Sequence, residues 1–201
     1  MNHYSCTFLY AFLTIAISII FPYSLHSHEL HRLTSVKLEN FLKVYSIGKQ
    51  VEYLSDPKNS ITINDLIKKK YDNKFIKSHS DELDLGSKNK NYWFRFSIEN
   101  HNVGTNWYLE LRYSLFNKTE LYHIKQDGTY IKKRFDVTIP FSQREVQSRD
   151  ITHQLTILKK KKQYYYLKAT SHLYMKIAFN IYSEKGLIIK KQNDYIRFGI
   201  Y

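Results

Sequence analysis

The sequence contains a single cysteine, Cys6, and this shortage of thiols limits the chemistry that the chain can perform. Cys6 falls within the first 27 residues, so the rest of the chain has neither a disulfide nor a thiol nucleophile. Zinc-finger sites and cysteine-dependent catalysis are therefore excluded. Glycine and proline are also scarce, at 6 and 3 of 201 residues, which argues against a disordered or fibrous protein.

Sequence motifs of common enzymes are absent as well. There is no glycine-rich phosphate loop, no Gly-x-Ser-x-Gly and no His-Glu-x-x-His. The nine histidines are scattered, and no carboxylate pair can be placed across a site from the sequence alone. We therefore expect a protein that is not an enzyme and that uses no metal or other cofactor.

Negative charge is in short supply, because 18 acidic residues face 31 lysines and arginines and leave a net charge of +13. Such an excess can attract nucleic acid, acidic glycans or anionic lipid headgroups. A lysine-rich solvated surface explains it equally simply. The Lys159–Lys162 run is consequently expected to be a charged hairpin tip, and nucleic acid is not expected as a partner.

Residues 1–27 carry no Asp, Glu, Lys or Arg, and Phe8–Phe21 is an almost continuous apolar run. This run is shorter than the roughly 20 residues that span a bilayer, and a polar segment ending at Ser27 follows it. The pattern predicts a secretory signal that is cleaved after Ser27, and hence an exported protein. An uncleaved N-terminal anchor, which would leave the protein associated with the membrane, is the alternative.

The central part of the chain alternates between apolar and polar residues. In Tyr92–Asn100, the side chains of Phe94, Phe96 and Ile98 fall on one face of an extended strand. Because successive side chains of a strand point to opposite faces, a period of two predicts a half-buried strand. Trp107–Tyr113 alternates in the same way, which places Trp107 in the core.

The N-terminal half is predicted to add one strand and one helix. Residues 28–46 are interpreted as a connector, and Val44–Leu54 as the first strand. Thr62 is a suitable helix N-cap with Asp65 as the third helical residue, so a helix is predicted to run to about Tyr71. The polar stretch from Asp72 to Asn91 is interpreted as a loop.

Further strands follow towards the C-terminus. Thr119–Ile124 and Thr129–Phe135 flank an Asp-Gly dipeptide, which favours a tight hairpin turn. Pro140–Arg149 has no steady period and is predicted to be a long surface connection. Strands are also expected at the segments Ile151–Leu158, Tyr164–Ser171 and Tyr174–Tyr182. Seven or eight strands at this spacing predict an all-β jelly-roll sandwich with one short helix.

Several segments together resemble a known domain family. They are Gly48–Pro57 with the helix after it, Tyr92–Phe96, Leu109–Tyr113, Glu120–Tyr122, Asp127–Gly128 and Pro140–Arg144. Their order and spacing are similar to the type 2 extracellular domain of bacterial seven-transmembrane receptors with diverse intracellular signalling modules. The resemblance covers roughly residues 47–187. The sequence departs from the family pattern at Asn117, where an acidic residue is expected, and at His153, where an aromatic one is expected.

The resemblance implies a jelly-roll sandwich, similar to carbohydrate-binding modules, that lies in the periplasm and senses a ligand. The implied ligand is a saccharide or another small molecule, and the implied partner is a membrane receptor that passes the signal to a cytoplasmic output domain. Residues 188–201 resemble the juxtamembrane segment before the first membrane helix of such receptors. The absence of a long apolar run predicts a truncated gene product, part of a split receptor or a free-standing binding protein.

Trp93 and Arg95 are the first candidate ligand-binding residues, because they share a strand face opposite Phe94 and Phe96. An aromatic ring can stack on the C–H face of a sugar, and planar polar groups can pair with its hydroxyls. In the structural alternative, Trp93 packs beneath a loop or the small helix, and Arg95 pairs with Glu99 or Glu110. Tryptophan is usually largely buried, which favours this alternative slightly.

The remaining candidates lie in connections between strands. Arg144 and Arg149 match arginines of the family pattern and can hold an acidic or hydroxyl-rich ligand by paired hydrogen bonds. They can equally tie the connection to backbone carbonyls. Tyr113 and Asn117 flank a turn and are weaker candidates. Sequence reasoning thus predicts a saccharide-binding sensor, with a charge-driven protein–protein module or a non-functional receptor fragment as the alternatives.

Overall fold

The structure is a computed structural model that describes residues 33–39, 44–87, 91–102, 104, 106–112 and 116–198. The predicted signal segment, residues 1–27, and the candidate residue Tyr113 lie outside the described residues. The strands in chain order are β1 (Ser35–Leu38), β2 (Tyr45–Ser46), β3 (Glu52–Ser55), β4 (Ile76–Lys77), β5 (Glu82–Gly86), β6 (Asn91–Asn100), β7 (Asn106–Arg112), β8 (Lys118–Ile124), β9 (Tyr130–Asp136), β10 (Ile151–Thr156), β11 (Lys162–Thr170) and β12 (Met175–Ser183). Within the described residues, two α-helices accompany them, α1 (Ile63–Ile67) and α2 (Glu184–Phe198).

These strands form two sheets that face each other as a β-sandwich, which confirms the all-β prediction. The first sheet has the order β4-β3-β6-β11-β8-β9, and β1 joins β6 in parallel. The second sheet has the order β10-β7-β12-β2, and β5 also pairs with β12. Apart from β1, all strand pairs are antiparallel. The free edges of β9 and β10 belong to different sheets.

The core lies between the sheets and is built from the faces that the alternating pattern predicts. Phe94, Phe96 and Ile98 of β6 are fully buried in it. Trp107 of β7 is also buried, at 1% exposure, and packs in the same cluster, as predicted. The rings of Phe94 and Phe179 lie 5.1 Å apart across the two sheets. The period of two thus decides which residues close the sandwich.

The predicted first strand, Val44–Leu54, is wrong as a single element. The chain changes sheets within it: β2 pairs with β12 in the second sheet, and β3 pairs with β6 in the first. A 3₁₀ turn over Gly48–Gln50 makes the crossing. A Cβ atom at Gly48 would lie 2.4 Å from the backbone oxygen of Asp81, so the close approach of two chain segments requires glycine there. Both β1 and β2 fall in the segment interpreted as a connector.

Helix α1 begins as predicted but ends earlier. Thr62 accepts from the backbone N–H of Asp65, whose carboxylate accepts from the N–H of Thr62, and the two bonds form a capping box. The helix ends at Ile67 because Lys69 takes the left-handed conformation, with φ of 59°. Among the described non-glycine residues, only Asn59, Lys69 and Lys160 have a positive φ, between 53° and 59°. The N–H groups of Lys69 and Lys70 then bond to the carbonyls of Leu66 and Asp65, which closes the helix end.

Two further predictions about connections are wrong. The segment from Asp72 to Asn91, interpreted as a loop, contains β4 and β5, which are short edge strands with mostly exposed side chains. Strand β4 has only two residues and is too short to show a period. Strand β5 does alternate, with Leu83 and Leu85 between polar residues, and the interpretation as a loop missed this signal. Lys159–Lys162 is not a hairpin tip, because β10 and β11 belong to different sheets and this run carries the chain from one sheet to the other.

The C-terminal helix α2 was not predicted as part of the fold. Ser183, the last residue of β12, accepts from the N–H of Gly186, and Glu184 lies in the first turn, where the helix dipole favours a negative charge. Its buried residue Leu187 and the side chain of Lys190 face the outer surface of the second sheet. Within the described residues, none of the helices is long and apolar enough to cross a membrane.

Candidate functional site

The structure buries Trp93, the first candidate residue. Its ring is 1% exposed and lies on the outer face of the first sheet, beneath α1. The ring packs with Leu66 of α1 and lies 5.6 Å from the ring of Tyr122. Its indole N–H has no hydrogen-bond partner in the protein. Trp93 therefore packs beneath the small helix, as the alternative to ligand binding predicted. Its ring presents no free face to a sugar in this arrangement.

Arg95 lies on the same strand face as Trp93, and its guanidinium is engaged by other residues of the protein. Its guanidinium donates to Glu52 over 2.8 Å and to Asp72 over 2.6 Å, and it lies 4.1 Å from the centre of the Phe75 ring. The predicted partners, Glu99 and Glu110, are wrong. The strand register places Glu52 directly opposite Arg95, and Glu110 belongs to the other sheet.

The other described candidates, Asn117, Arg144 and Arg149, lie in connections between strands. Asn117 accepts from the backbone N–H of His172 over 2.9 Å, so its side chain joins two connections. Arg144 lies between the rings of Phe135 and Phe141, with centroid distances of 5.1 and 5.4 Å, and donates to the Ser148 carbonyl. Arg149 is exposed. Asn117 and Arg144 make these contacts with residues other than Trp93 and Arg95.

Arg144 partly supports both interpretations that the sequence left open. Its bond to the Ser148 carbonyl, at 3.4 Å, ties the long connection together as the structural interpretation requires. Its Nε–H is buried and has no partner in the protein, while the neighbouring Phe141 ring is 52% exposed. Phe141 belongs to a 3₁₀ turn, Phe141–Gln143, at the start of the Pro140–Arg149 connection.

The free edges of β9 and β10 do not pair with each other, and a cleft opens between them. This cleft was not predicted from the sequence. Lys133 of β9 bridges the two sheet edges there: its ammonium donates to the Gln154 carbonyl over 2.7 Å and also contacts the Glu145 carboxylate. A small cavity of about 70 Å³ lies behind this bridge. It is lined by Leu121, His123, Ile131, Lys133, Gln154, Leu155, Thr156 and Tyr165.

A larger cavity of about 350 Å³ adjoins the small one at His123, which lines both. We call this larger cavity the His123 cleft. It lies between the hairpin that connects β8 to β9 and the crossover that connects β10 to β11. Its lining consists of His123, Ile124, Lys125, Gln126, Asp127, Leu158, Lys161, Lys162 and Gln163.

The ring of His123 lines the His123 cleft and is stacked on the ring of Tyr165, which lines only the smaller cavity. The rings of His123 and Tyr165 lie 4.8 Å apart at an angle of 19°. Tyr165 is 2% exposed and donates to the amide oxygen of Gln163 over 3.4 Å, whereas His123 is only half-buried. Burial lowers the pKa of His123, and the nearby Lys125 lowers it further. The exposed ring is therefore a neutral aromatic surface at pH 7, with an amide beside it.

The polar groups of the cleft are positioned by the hairpin and the crossover. Asp127 accepts from the backbone N–H and the hydroxyl of Thr129, over 2.9 and 2.6 Å, and these bonds lower its pKa. Gly128 has φ of +81°, which the Asp-Gly turn requires. This hairpin turn is confirmed. The result is a cleft that offers one aromatic ring, an amide, a carboxylate and several ammonium groups.

Sequence reasoning missed His123 although a signal was present. In Thr119–Ile124, the period of two puts His123 on the same face as Leu121, that is, on the core side. A histidine on an apolar strand face, two residues before a hairpin turn, lies at the mouth of the sandwich. In the described residues, no group of three or more His, Cys, Asp or Glu side chains is arranged to hold a metal ion.

A second depression, of about 290 Å³, lies elsewhere on the surface and lacks an aromatic wall. It is lined by Thr34, Lys49, Gln50, Lys77, Ser78 and His79. The side-chain oxygen of Gln50 is buried there without a hydrogen-bond partner in the protein. Since the His123 cleft combines a ring surface with polar groups, it is the stronger candidate for binding a small molecule.

Comparison with known proteins identifies the family of the chain. No curated protein matches the chain. The sequence model described as 7TMR-DISM extracellular 2 matches residues 48–183, which is more than half of the chain and runs from the 3₁₀ turn after β2 to the end of β12. The residues of the His123 cleft all fall within the matched range. The chain therefore belongs to the 7TMR-DISM extracellular 2 family.

Proposed function

We propose that this chain is the ligand-sensing part of a membrane signalling receptor, works in the periplasm and binds a saccharide in the His123 cleft. Membership of a family of extracellular domains supports the receptor role and the location outside the cytoplasm. The resemblance of the family to carbohydrate-binding modules supports the ligand class. We take the predicted N-terminal signal to be the means of export.

The stacked His123–Tyr165 pair beside Gln163 is the observation that carries the proposal. Saccharide sites need a ring that covers the apolar C–H face of a sugar and neighbouring polar groups that satisfy its hydroxyls. The half-buried ring of His123 provides the first, and Gln163, Asp127 and the lysines provide the second. A volume of about 350 Å³ lies at the lower end of the range for small-molecule sites and suits one or two sugar rings.

We also propose that the cleft binds its ligand without changing it. Hydrolysis of a glycosidic bond requires two carboxyl groups on opposite sides of the bond. Asp127 is the one carboxylate among the described residues that line the cleft, and its bonds to Thr129 keep it ionised. A single ionised carboxylate can accept hydroxyl hydrogen bonds but cannot supply both an acid and a nucleophile.

Calorimetric titration of a glycan panel against the purified chain tests the proposal. We expect at least one glycan to bind and His123→Ala to weaken that binding up to about tenfold, because the variant lacks the ring on which the sugar stacks. His172→Ala is the matched control, because His172 is an exposed histidine on a different connection. Retention of full affinity by a folded His123→Ala variant would place the ligand elsewhere.

A second candidate function is docking onto an apolar helix of a receptor partner, and one observation favours it. Ile188, Ile189, Tyr195 and Ile196 lie on α2 at helical spacing and are 41–72% exposed. Amphipathic helices commonly bind partners through such a stripe. Ile189→Lys and Ile196→Lys should then abolish capture of a partner without changing glycan affinity, which separates this function from the first.

A further inference from the structure

The crossover between β10 and β11 places consecutive lysines beside the His123 cleft. Lys161 and Lys162 line the cleft from this crossover, and Lys125 lines it from the opposite hairpin. Asp127 is the one carboxylate in the same lining, and both of its described hydrogen-bond donors come from Thr129. The cleft therefore has more positive than negative charge at its mouth.

The crossover between β10 and β11 is held in place by the buried side-chain amide of Asn100. Asn100 is fully buried, and its side-chain N–H groups donate to the carbonyls of Gly104 and Ile157 over 2.7 and 3.0 Å. Its backbone carbonyl accepts from the N–H of Lys160 over 2.7 Å. This arrangement fixes the start of the crossover relative to β6, so the position of Lys161 is set by the core and not by its own solvation.

The crossover also contains an unfavourable backbone conformation. Lys160 has φ of +54°, a left-handed value that costs a residue with a Cβ atom free energy relative to glycine. Four consecutive lysines in a tight turn add repulsion between like charges. Strained residues of this kind persist where the surrounding structure holds them, and they cluster at ligand sites. The turn brings ammonium groups to the cleft at the expense of local stability.

Lys162 differs from the other two cleft lysines. It lies opposite Glu99 in the strand register, and its ammonium is 5.2 Å from the Tyr164 ring centre. Lys125 and Lys161, by contrast, form none of the described ion pairs, although Asp127 lies near enough to Lys125 for its pKa to be lowered by that lysine. These two lysines flank the cleft from its two walls.

We propose that the His123 cleft selects an acidic saccharide, a sugar that carries a carboxylate. This inference rests on the proposed function and adds the charge of the ligand to it. The carboxylate pairs with the ammonium groups of Lys125 and Lys161, while the sugar ring lies on His123 and its hydroxyls bond to Gln163. The cleft volume, about 350 Å³, limits the ligand to one or two rings within it and disfavours an extended polyanion such as nucleic acid.

Titration with three probes tests the charge of the ligand. The probes are a trimer of galacturonate, the uncharged galactose trimer of the same length and inorganic phosphate, each at 50 and 500 mM salt. We expect the acidic trimer to bind at least about tenfold more tightly than the neutral one at low salt. Its advantage should shrink at high salt because exposed ion pairs are screened.

Variants assign the effect to the two lysines. Lys125→Gln and Lys161→Gln should each weaken acidic-trimer binding about threefold, and the double variant, having lost the whole advantage, should bind both trimers equally. Lys58→Gln is the matched control, since Lys58 is an exposed lysine in the turn before α1. Thermal melting confirms that every variant folds. Affinity for the neutral trimer should be unchanged throughout.

Three other outcomes would contradict the acidic preference, and they differ in what they imply for the proposed saccharide function. Equal binding of the two trimers, with both abolished by His123→Ala, would overturn the acidic preference and leave the proposed saccharide function standing. Phosphate binding as tight as that of the acidic trimer would show an anion site that does not recognise sugar, and would overturn the inference. Failure of both trimers, with folded protein, would overturn the inference and count against the proposed function on these probes.

Discussion

The two outer faces of the sandwich are each covered by a helix, but different forces hold the two helices. On the first sheet, α1 and its flanks bury Ile61, Ile63 and Leu66 against Trp93. On the second sheet, Gly186 and Leu187 are the buried residues of α2 among those whose side chains are described. The first cover is held mainly by apolar packing, and the second depends much more on charge.

In each cover, a cation that is largely buried pairs with more than one carboxylate. Arg95 joins Glu52 of β3 to Asp72, which follows α1. Lys190 of α2 contacts the carboxylates of Glu110, Asp150 and Asp194. Glu110 is fully buried, so without Lys190 its charge would have neither water nor a cation near it. We therefore expect the apolar cover to tolerate loss of its ion pair better than the ionic one.

Two glutamates, one on each outer face, sharpen the contrast. Burial alone would raise the pKa of Glu120 on the first sheet, but bonds from Lys132, Lys118 and Tyr122 lower it to about 2. Burial raises the pKa of Glu110 on the second sheet, and the bond with Lys190 offsets this only in part. Burial outweighs the bonding cation at Glu110, whereas at Glu120 the two lysines and the tyrosine outweigh burial.

Removal of the Trp93 ring should have the largest effect on the first face. Trp93→Ala is expected to lower the free energy of unfolding by about 4 kcal/mol, because it leaves a cavity beneath α1. Urea denaturation measures the change. Ile76→Ala, at a residue that is 55% exposed, is the control and should cost less than about 1 kcal/mol. A loss below about 2 kcal/mol would mean that α1 does not depend on this ring.

Removal of the Lys190 ammonium should have the next largest effect, on the second face. Lys190→Ala is expected to lower the free energy of unfolding by about 3 kcal/mol, because Glu110 remains buried without its cation. Lys191→Ala on the same helix is the control. Adding Glu110→Gln to Lys190→Ala should recover part of the loss, and a double-mutant cycle measures the coupling. Additive losses would refute the pairing.

The two glutamates should respond to pH with opposite signs. The lowered pKa of Glu120 stabilises the fold above its ordinary value of 4.5, and this stabilisation is lost as pH falls towards 2. Glu120→Gln should therefore cost about 1.5 kcal/mol at pH 6, after allowance for screening of the partly exposed lysines, and progressively less below pH 4.5. Denaturation curves from pH 6 to pH 2.5 follow the difference.

Glu110 provides the matched case with a raised pKa. A raised folded-state pKa gives stabilisation that is present below the ordinary value of 4.5 and is lost as pH rises through the folded value. Glu110→Gln should therefore gain stability relative to the wild type as the pH rises from 4 to 7. Parallel pH profiles for the two variants would contradict the contrast between the faces.

The smallest expected effect concerns the N-terminus of α1. Thr62→Ala removes the hydroxyl that accepts from the N–H of Asp65 and should cost about 1 kcal/mol. Thr62→Ser keeps the hydroxyl and is the control. Thermal melting of both variants measures the difference. Equal losses for the two would show that the methyl group, and not the cap, matters.

Local chemistry in the sequence was sufficient to predict part of the fold. The period of two located the buried faces of β6 and β7, and Thr62 with Asp65 located the start of α1. The Asp-Gly turn located the hairpin between β8 and β9. Each of these features is decided by residues that are close together in the chain. The early end of α1 was not predicted, because a lysine and not a glycine occupies the left-handed position.

Long-range pairing decided the rest, including the candidate site. The sequence could not show that β10 and β11 join different sheets, so it could not bring Lys161 near His123. Helix α2 carries signals in Ser183 and in the Lys190–Asp194 spacing, but its docking depends on Glu110, 80 positions earlier in the chain. The sequence itself determined the strand faces, the helix cap and the hairpin turn, because each depends on neighbouring residues. The tertiary structure alone decided which side chains are buried under a helix and which face the cleft, because that depends on which strands become neighbours.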